Sequence, residues 1–159
     1  MRDDTKVVLS WRELQLAAMV GVMRQVENLQ KQRVDKHKAD PAREWQTHLD
    51  GAIGEAAVAK WLDRYWNGNL GNLDADDVGK FQVRYTYRDD GRLILHKEDG
   101  DDKVFILVTG IQPVLRLRGW IRGRDGKLPQ YWTDPKTGRP AFFVPQSALK
   151  PMRRKEDKG

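Results

Sequence analysis

Glu55, Asp77, Gln82 and Arg84 are the residues of this chain whose types and spacing suit a common chemical task. Glu55 lies in a run of small residues that reads as a packed helix, and a buried carboxylate is costly unless it is paired, protonated or bound to a cation. Two carboxylates, Glu55 and Asp77, with the Gln82 amide can supply part of the octahedral oxygen shell of Mg²⁺ or Mn²⁺, with waters completing it. Such a cation lowers the pKa of a bound water and stabilises charge on a phosphodiester. Arg84 beside it would steady the developing oxyanion; a guanidinium does not readily lose a proton, so it cannot serve as a base. A plainer assignment stands beside this one. Glu55 can pair with an arginine such as Arg84, Asp77 can cap a turn, and Gln82, Arg84 and Thr86 can be the solvent face of an edge strand.

The elements that must position these residues are legible in the pattern. Ser10-Trp-Arg-Glu13 has the spacing of a capping box and predicts a helix over 10–34. Leu14, Ala17, Ala18, Gly21, Met23, Val26 and Leu29 recur on it, while Arg24, Gln25, Glu27 and the residues from Gln30 to Arg33 make its later turns polar and predict their exposure. A charged linker containing Pro41 leads to a second helix over 42–66. At 100° per residue Glu44, His48, Gly51, Ala52, Glu55, Val58, Ala59, Leu62 and Trp66 share one side of that helix, with Glu55 near the centre. A turn-rich loop follows, and from Phe81 the period changes to two. Phe81–Tyr87, Leu93–Leu95 and Val104–Val108 predict three consecutive antiparallel strands, the last of them apolar on both faces and therefore central. Val114–Ile121 and Ala141–Val144 continue the sheet. The expected architecture is α+β: two N-terminal helices on a mainly antiparallel mixed sheet, one domain over 1–151 with sheet over 81–145 and a basic tail over 152–159.

The helix Gly51-Ala-Ile-Gly-Glu55, followed by Asp77-x4-Gln82-Val83-Arg84 on a strand, resembles the PD-(D/E)XK nuclease superfamily over residues 45–108. That resemblance implies a Mg²⁺-dependent core that cuts DNA, with Glu55 and Asp77 as metal ligands, Gln82 as a ligand or water-orienting residue and Arg84 in the lysine position. Asp76 stands where the family has proline, and arginine replaces the lysine. A nuclease-fold module that binds nucleic acid, or regulates a host or phage protein, without cleaving is the alternative the same residues allow. Strings along most of the chain, among them Leu9-Ser-Trp-Arg-Glu13, Gly119-Trp-Ile-Arg-Gly123 and Phe143-Val-Pro145, resemble small proteins of tailed bacteriophages and imply a bacterial cytoplasmic setting.

The formal charge of +6 and a pI near 9.6 favour a nucleic-acid partner, expected to be DNA. Arg116, Arg118, Arg122, Arg124 and Lys127 form the densest basic run, with Trp120, Tyr131 and Trp132 interleaved, a mixture suited to phosphate contact and base stacking; an outer strand face with a solvated loop is the plain reading. The chain has no cysteine, which removes disulfides, thiolate zinc sites and a thiol nucleophile. His37, His48 and His96 lack zinc spacing, and Glu98–Asp102 reads as an acidic turn without the length of an EF-hand loop. No phosphate-binding loop, nucleophile elbow or dinucleotide fingerprint occurs. No stretch approaches the roughly 20 apolar residues of a membrane span, so no membrane partner is expected.

Overall fold

The capping box forms as the sequence predicts. In the structure, a computed structural model that describes residues 5–31, 41–68, 76–134 and 139–154, the Ser10 hydroxyl accepts from the Glu13 amide at 3.1 Å and the Ser10 amide donates to Glu13 Oε1 at 2.7 Å. The helix they start, α1 (Trp11–Gln30), follows a short strand, β1 (Lys6–Val8). It closes at Lys31, and the rest of the expected 10–34 span lies outside the described residues.

A 3-10 turn, Pro41–Arg43, leads into α2 (Glu44–Trp61). This helix stops five residues short of the expected 66, because Asp63 turns left-handed with φ 53° and the Arg64 amide reaches back to the Ala59 carbonyl. Its small residues serve the close packing that their size predicts. Ala52, Ala57 and Val58 are fully buried between α1 on one side and strands on the other. A Cβ on Gly21 of α1 would lie 2.7 Å from the Leu49 Cα of α2, so the two helices approach at a distance only glycine permits.

The strands form two sheets. In the larger, β1, β5 (Val114–Arg122), β4 (Val104–Ile111) and β2 (Phe81–Thr86) lie side by side in that order. The smaller contains β3 (Leu93–Leu95), β7 (Ala141–Val144) and β6 (Trp132–Thr133). A one-turn helix, α3 (Gly123–Gly126), follows β5 in the basic loop. The architecture is α+β, as expected.

The three-stranded antiparallel meander is not formed. β2 pairs with β4 in parallel, Phe81 opposite Val104 through Thr86 opposite Thr109. β3 leaves the larger sheet and pairs with β7, Leu93 opposite Val144. The Asp90-Gly91 turn thus carries the chain out of one sheet into the other, and β3 with the acidic turn forms the crossover that a parallel pair requires. β4 is central, as its two apolar faces predict: Ile106 and Val108 pack toward α2, Phe105 and Leu107 toward the small sheet.

β5 changes its inward face partway along. Val108 pairs with Leu117 but Leu107 with Gly119, leaving Arg118 as the extra residue of a bulge. Leu115 and Leu117 therefore face α2 while Ile121, of the same parity, joins the small-sheet core. Gly119, at φ 145°, supplies the backbone conformation that the switch needs. No helix among the described residues is long and apolar enough to cross a membrane.

Candidate functional site: a buried charge cluster and a basic groove

Glu55 is 4% exposed, as its place on α2 predicts, and its partner is Arg24. Arg24 donates Nη1–H to Glu55 Oε2 at 2.7 Å and Nη2–H to Oε1 at 2.8 Å, a bidentate pair. Its Nε and Nη2 also donate to the Gly68 carbonyl at 2.9 and 2.5 Å. Beyond the helix end the loop folds back and the Trp66 indole donates to Glu55 Oε1 at 3.3 Å. The sequence-based expectation that the later turns of α1 are exposed is thus corrected: Arg24 is 7% and Gln25 2% exposed. The signal was available, since Ala17, Gly21, Arg24 and Asn28 fall on one helical stripe and the two small residues mark it as the packing face.

Asp77 lies close enough to feel this pair. Burial first, and the Glu55 charge second, push its carboxyl up to about 7, against the lowering effects of the Val83 amide, Arg84 and Arg24. The Val83 amide donates to Asp77 Oδ2 at 2.7 Å, tying the loop to the start of β2. A folded-state pKa above the unfolded value of 3.8 means that folding takes up a proton between about pH 4 and 7. The stabilisation is complete below about pH 4 and is lost as pH rises through 7. Asp77→Asn, which keeps an acceptor for Val83, is expected to flatten stability over this range and to exceed the parent at pH 8, as read by urea titrations at each pH.

Gln82 and Arg84 do not join Glu55. In the parallel register Gln82 neighbours Phe105 and Arg84 neighbours Leu107, whose side chains belong to the small-sheet core; Val83 neighbours Ile106 on the α2 side. Gln82 donates to Asp76 Oδ1 at 2.7 Å, where Lys103 also donates at 2.7 Å. Arg84 donates to Asp99 Oδ1 at 3.0 Å and to the Ile94 carbonyl at 3.3 Å, 5.0 Å over the Phe105 ring. Glu55 and Asp77 are brought together, while Gln82 and Arg84 stand across the sheet from Glu55. Arg84 is therefore not the arginine that pairs with Glu55.

As placed, the Glu55 carboxylate is engaged by an arginine instead of open to a divalent cation. Both Glu55 oxygens accept from Arg24, whose guanidinium fills the cation position that two carboxylates would offer. Among the described residues no group of three or more His, Asp or Glu could hold a metal ion. His48 pairs with Asn28 at 2.8 Å across the helices, and His37 lies outside the described residues.

The basic run divides into two parts. Arg124 pairs with Asp102, and Lys127 pairs with Asp101 and donates to the Asp99 carbonyl at 2.6 Å, so the acidic turn neutralises this end. Arg122 is exposed at the close of β5. Arg116 sits in a row across the larger sheet, Lys6, Arg116, Thr109 and Thr86, and Arg118 donates from Nε to Thr109 Oγ1 at 2.6 Å with its far nitrogen on Asp89.

At Thr86 that row meets a groove of about 590 Å³ between β2 and β3, the end strands of their sheets. Arg84, Arg88, Arg92 and His96 line it over an apolar floor that includes Ile94 and Phe143. Arg88 and Arg92 are exposed, and the one acid of the lining, Asp90, stands 3.6 Å from Arg88. Sequence reasoning missed Arg88, Arg92 and Lys6 as members of one surface, because they are spread over three strands or turns. Comparison with known proteins finds no matching family model, no matching curated protein and no matching solved structure.

Proposed function

We propose that this protein binds DNA without cutting it, holding the phosphate backbone in the groove between β2 and β3 and along the Lys6–Arg116 row. The observation that carries this reading is the guanidinium lining of the groove, Arg84, Arg88 and Arg92, of which Arg88 and Arg92 are exposed and Arg84 is held by Asp99, with Asp90 as the one acid of the lining. Phosphates meet exposed guanidinium groups there, while Phe143 and Ile94 offer apolar surface to a base or sugar. The Arg24–Glu55 pair is then an internal tie that holds α1, α2 and the Gly68 turn together, and Arg84 is a groove-wall residue fixed by Asp99.

The test is fluorescence anisotropy with labelled single- and double-stranded DNA and RNA, in Mg²⁺, Mn²⁺ or EDTA, over a salt series. The expected outcome is binding that is insensitive to EDTA, weakens steeply with salt and leaves the strands intact. A second reading is favoured by one observation, the raised Asp77 carboxyl beside Glu55, since perturbed acids cluster at catalytic centres. In that reading the chain is a Mg²⁺-dependent nuclease with a PD-(D/E)XK-like core, encoded by a phage. Cleavage that requires the metal and disappears in both Glu55→Ala and Asp77→Ala, with each variant folded by circular dichroism, would establish it in place of the first. A host or phage protein as the regulated partner predicts no measurable affinity for any of the four nucleic acids.

A further inference from the structure

The outer face of α1 reverses the usual amphipathic order. At 100° per residue Leu16, Met19, Val22, Met23, Val26 and Leu29 occupy one outward arc, and each is 40–56% exposed. The inward arc carries the apolar or small Leu14, Ala17 and Gly21 at its start and polar groups in its later turns, where Arg24, Gln25 and Asn28 meet Glu55, Glu44 and His48 of α2. A helix on the surface of a monomer places its apolar stripe toward the core and its polar face toward water. Here the helix hairpin is tied by polar contacts and the apolar stripe is turned outward.

We propose that this stripe is the contact between two copies of the chain, α1 packing on α1 across a twofold axis. Three observations select a second copy as the occupant. Leu16, Met19, Met23 and Val26 follow one another at intervals of three, four and three, and Val22 and Leu29 are seven apart, the spacing with which helices interlock as knobs in holes. Along the helix from Leu16 to Leu29 that arc carries no charged side chain, Arg12 lying one turn before it and Glu27 at its border, on a chain whose formal charge is +6. Two copies meet there without repulsion, and the face offers nothing to attract a nucleic acid or to orient an oppositely charged protein.

Area is the third observation. The exposed parts of the six side chains amount to on the order of 500 Å² of apolar surface, the upper range for the largest patch on a monomer. A standard interface buries roughly 800 Å² per partner, of which about 520 Å² is apolar in a homodimer. One self-complementary helix face therefore meets the need of an isologous dimer.

Sedimentation equilibrium of the full chain, from low to high micromolar, is the test. The expected mass is that of a dimer, and Met19→Glu is expected to raise the dissociation constant by about a hundredfold or more by placing two carboxylates in an apolar seam. Because Met19 is exposed in the protomer, the far-UV circular dichroism of the variant should match the parent. The chain has no cysteine, so a second measurement is direct: Met23→Cys should give a disulfide-linked dimer on mild oxidation, and Lys97→Cys, at an exposed position against Trp132 of the small sheet, should not. A monomer mass at every concentration overturns the proposal and assigns the stripe to a different protein. So does a dimer that persists in Met19→Glu, or equal cross-linking by the two cysteine variants.

Discussion

Glu55→Ala is expected to lower the unfolding free energy by about 3–5 kcal/mol, the cost of leaving a buried charge without its partner. Arg24 is 7% exposed and directs both terminal nitrogens at Glu55, so truncation leaves a guanidinium that keeps, among the described residues, the Gly68 carbonyl and the more distant charge of Asp77. Arg24→Ala should cost a similar amount for the mirror reason. The pair Arg24→Met with Glu55→Leu should regain most of the loss, because an apolar pair of similar volume removes both desolvation penalties. Urea denaturation of these proteins reads the losses and the rescue, and Arg24→Ala combined with Glu55→Ala closes the cycle. The same set separates the tie from a metal site: a Glu55 that serves as a ligand predicts a melting temperature that rises with added Mg²⁺ in the parent and not in Glu55→Ala. For an internal tie, Mg²⁺ leaves both unchanged.

The second large effect belongs to the groove. Arg88→Glu combined with Arg92→Glu should weaken DNA binding by roughly tenfold to a hundredfold at moderate salt, and should reduce the slope of log affinity against log salt by about two if each arginine neutralises one phosphate. Both residues are exposed and lie outside the core clusters, so the melting temperature should hold. Arg124→Glu combined with Lys127→Glu makes the informative comparison. These cations already face Asp102 and Asp101, so their loss should change affinity much less than the groove reversal, although the net charge changes equally. Equal losses from the two pairs would mean that overall charge, and no particular surface, attracts the nucleic acid.

The inside-out helix bears on both results. α1 contributes Arg24 to the tie through its inward arc and leaves its apolar arc for a partner, so stability and association are set by opposite faces of one element. A change confined to Met19 should therefore alter the dimer without altering the Glu55 cycle.

Local features were legible in the chain because local energy determines them. The Ser10–Glu13 box, the burial of Glu55 among small residues and the central place of Val104–Val108 each follow from a few neighbouring residues and a period of 3.6 or 2. Pairing was not legible. A period of two tells which residues of a strand share a face, but it does not say which strand lies alongside, in which direction, or what covers that face. Tertiary structure decided that β2 runs parallel to β4 with β3 in another sheet, and this sent Arg84 across the sheet from Glu55. It decided likewise that Arg24, distant in sequence, supplies the charge that Glu55 needs, because only the Gly21–Leu49 approach brings the two helices close enough for the pair to form. What the sequence alone determined was that a buried carboxylate requires a partner, a proton or a cation; which of these it meets is a property of long-range packing.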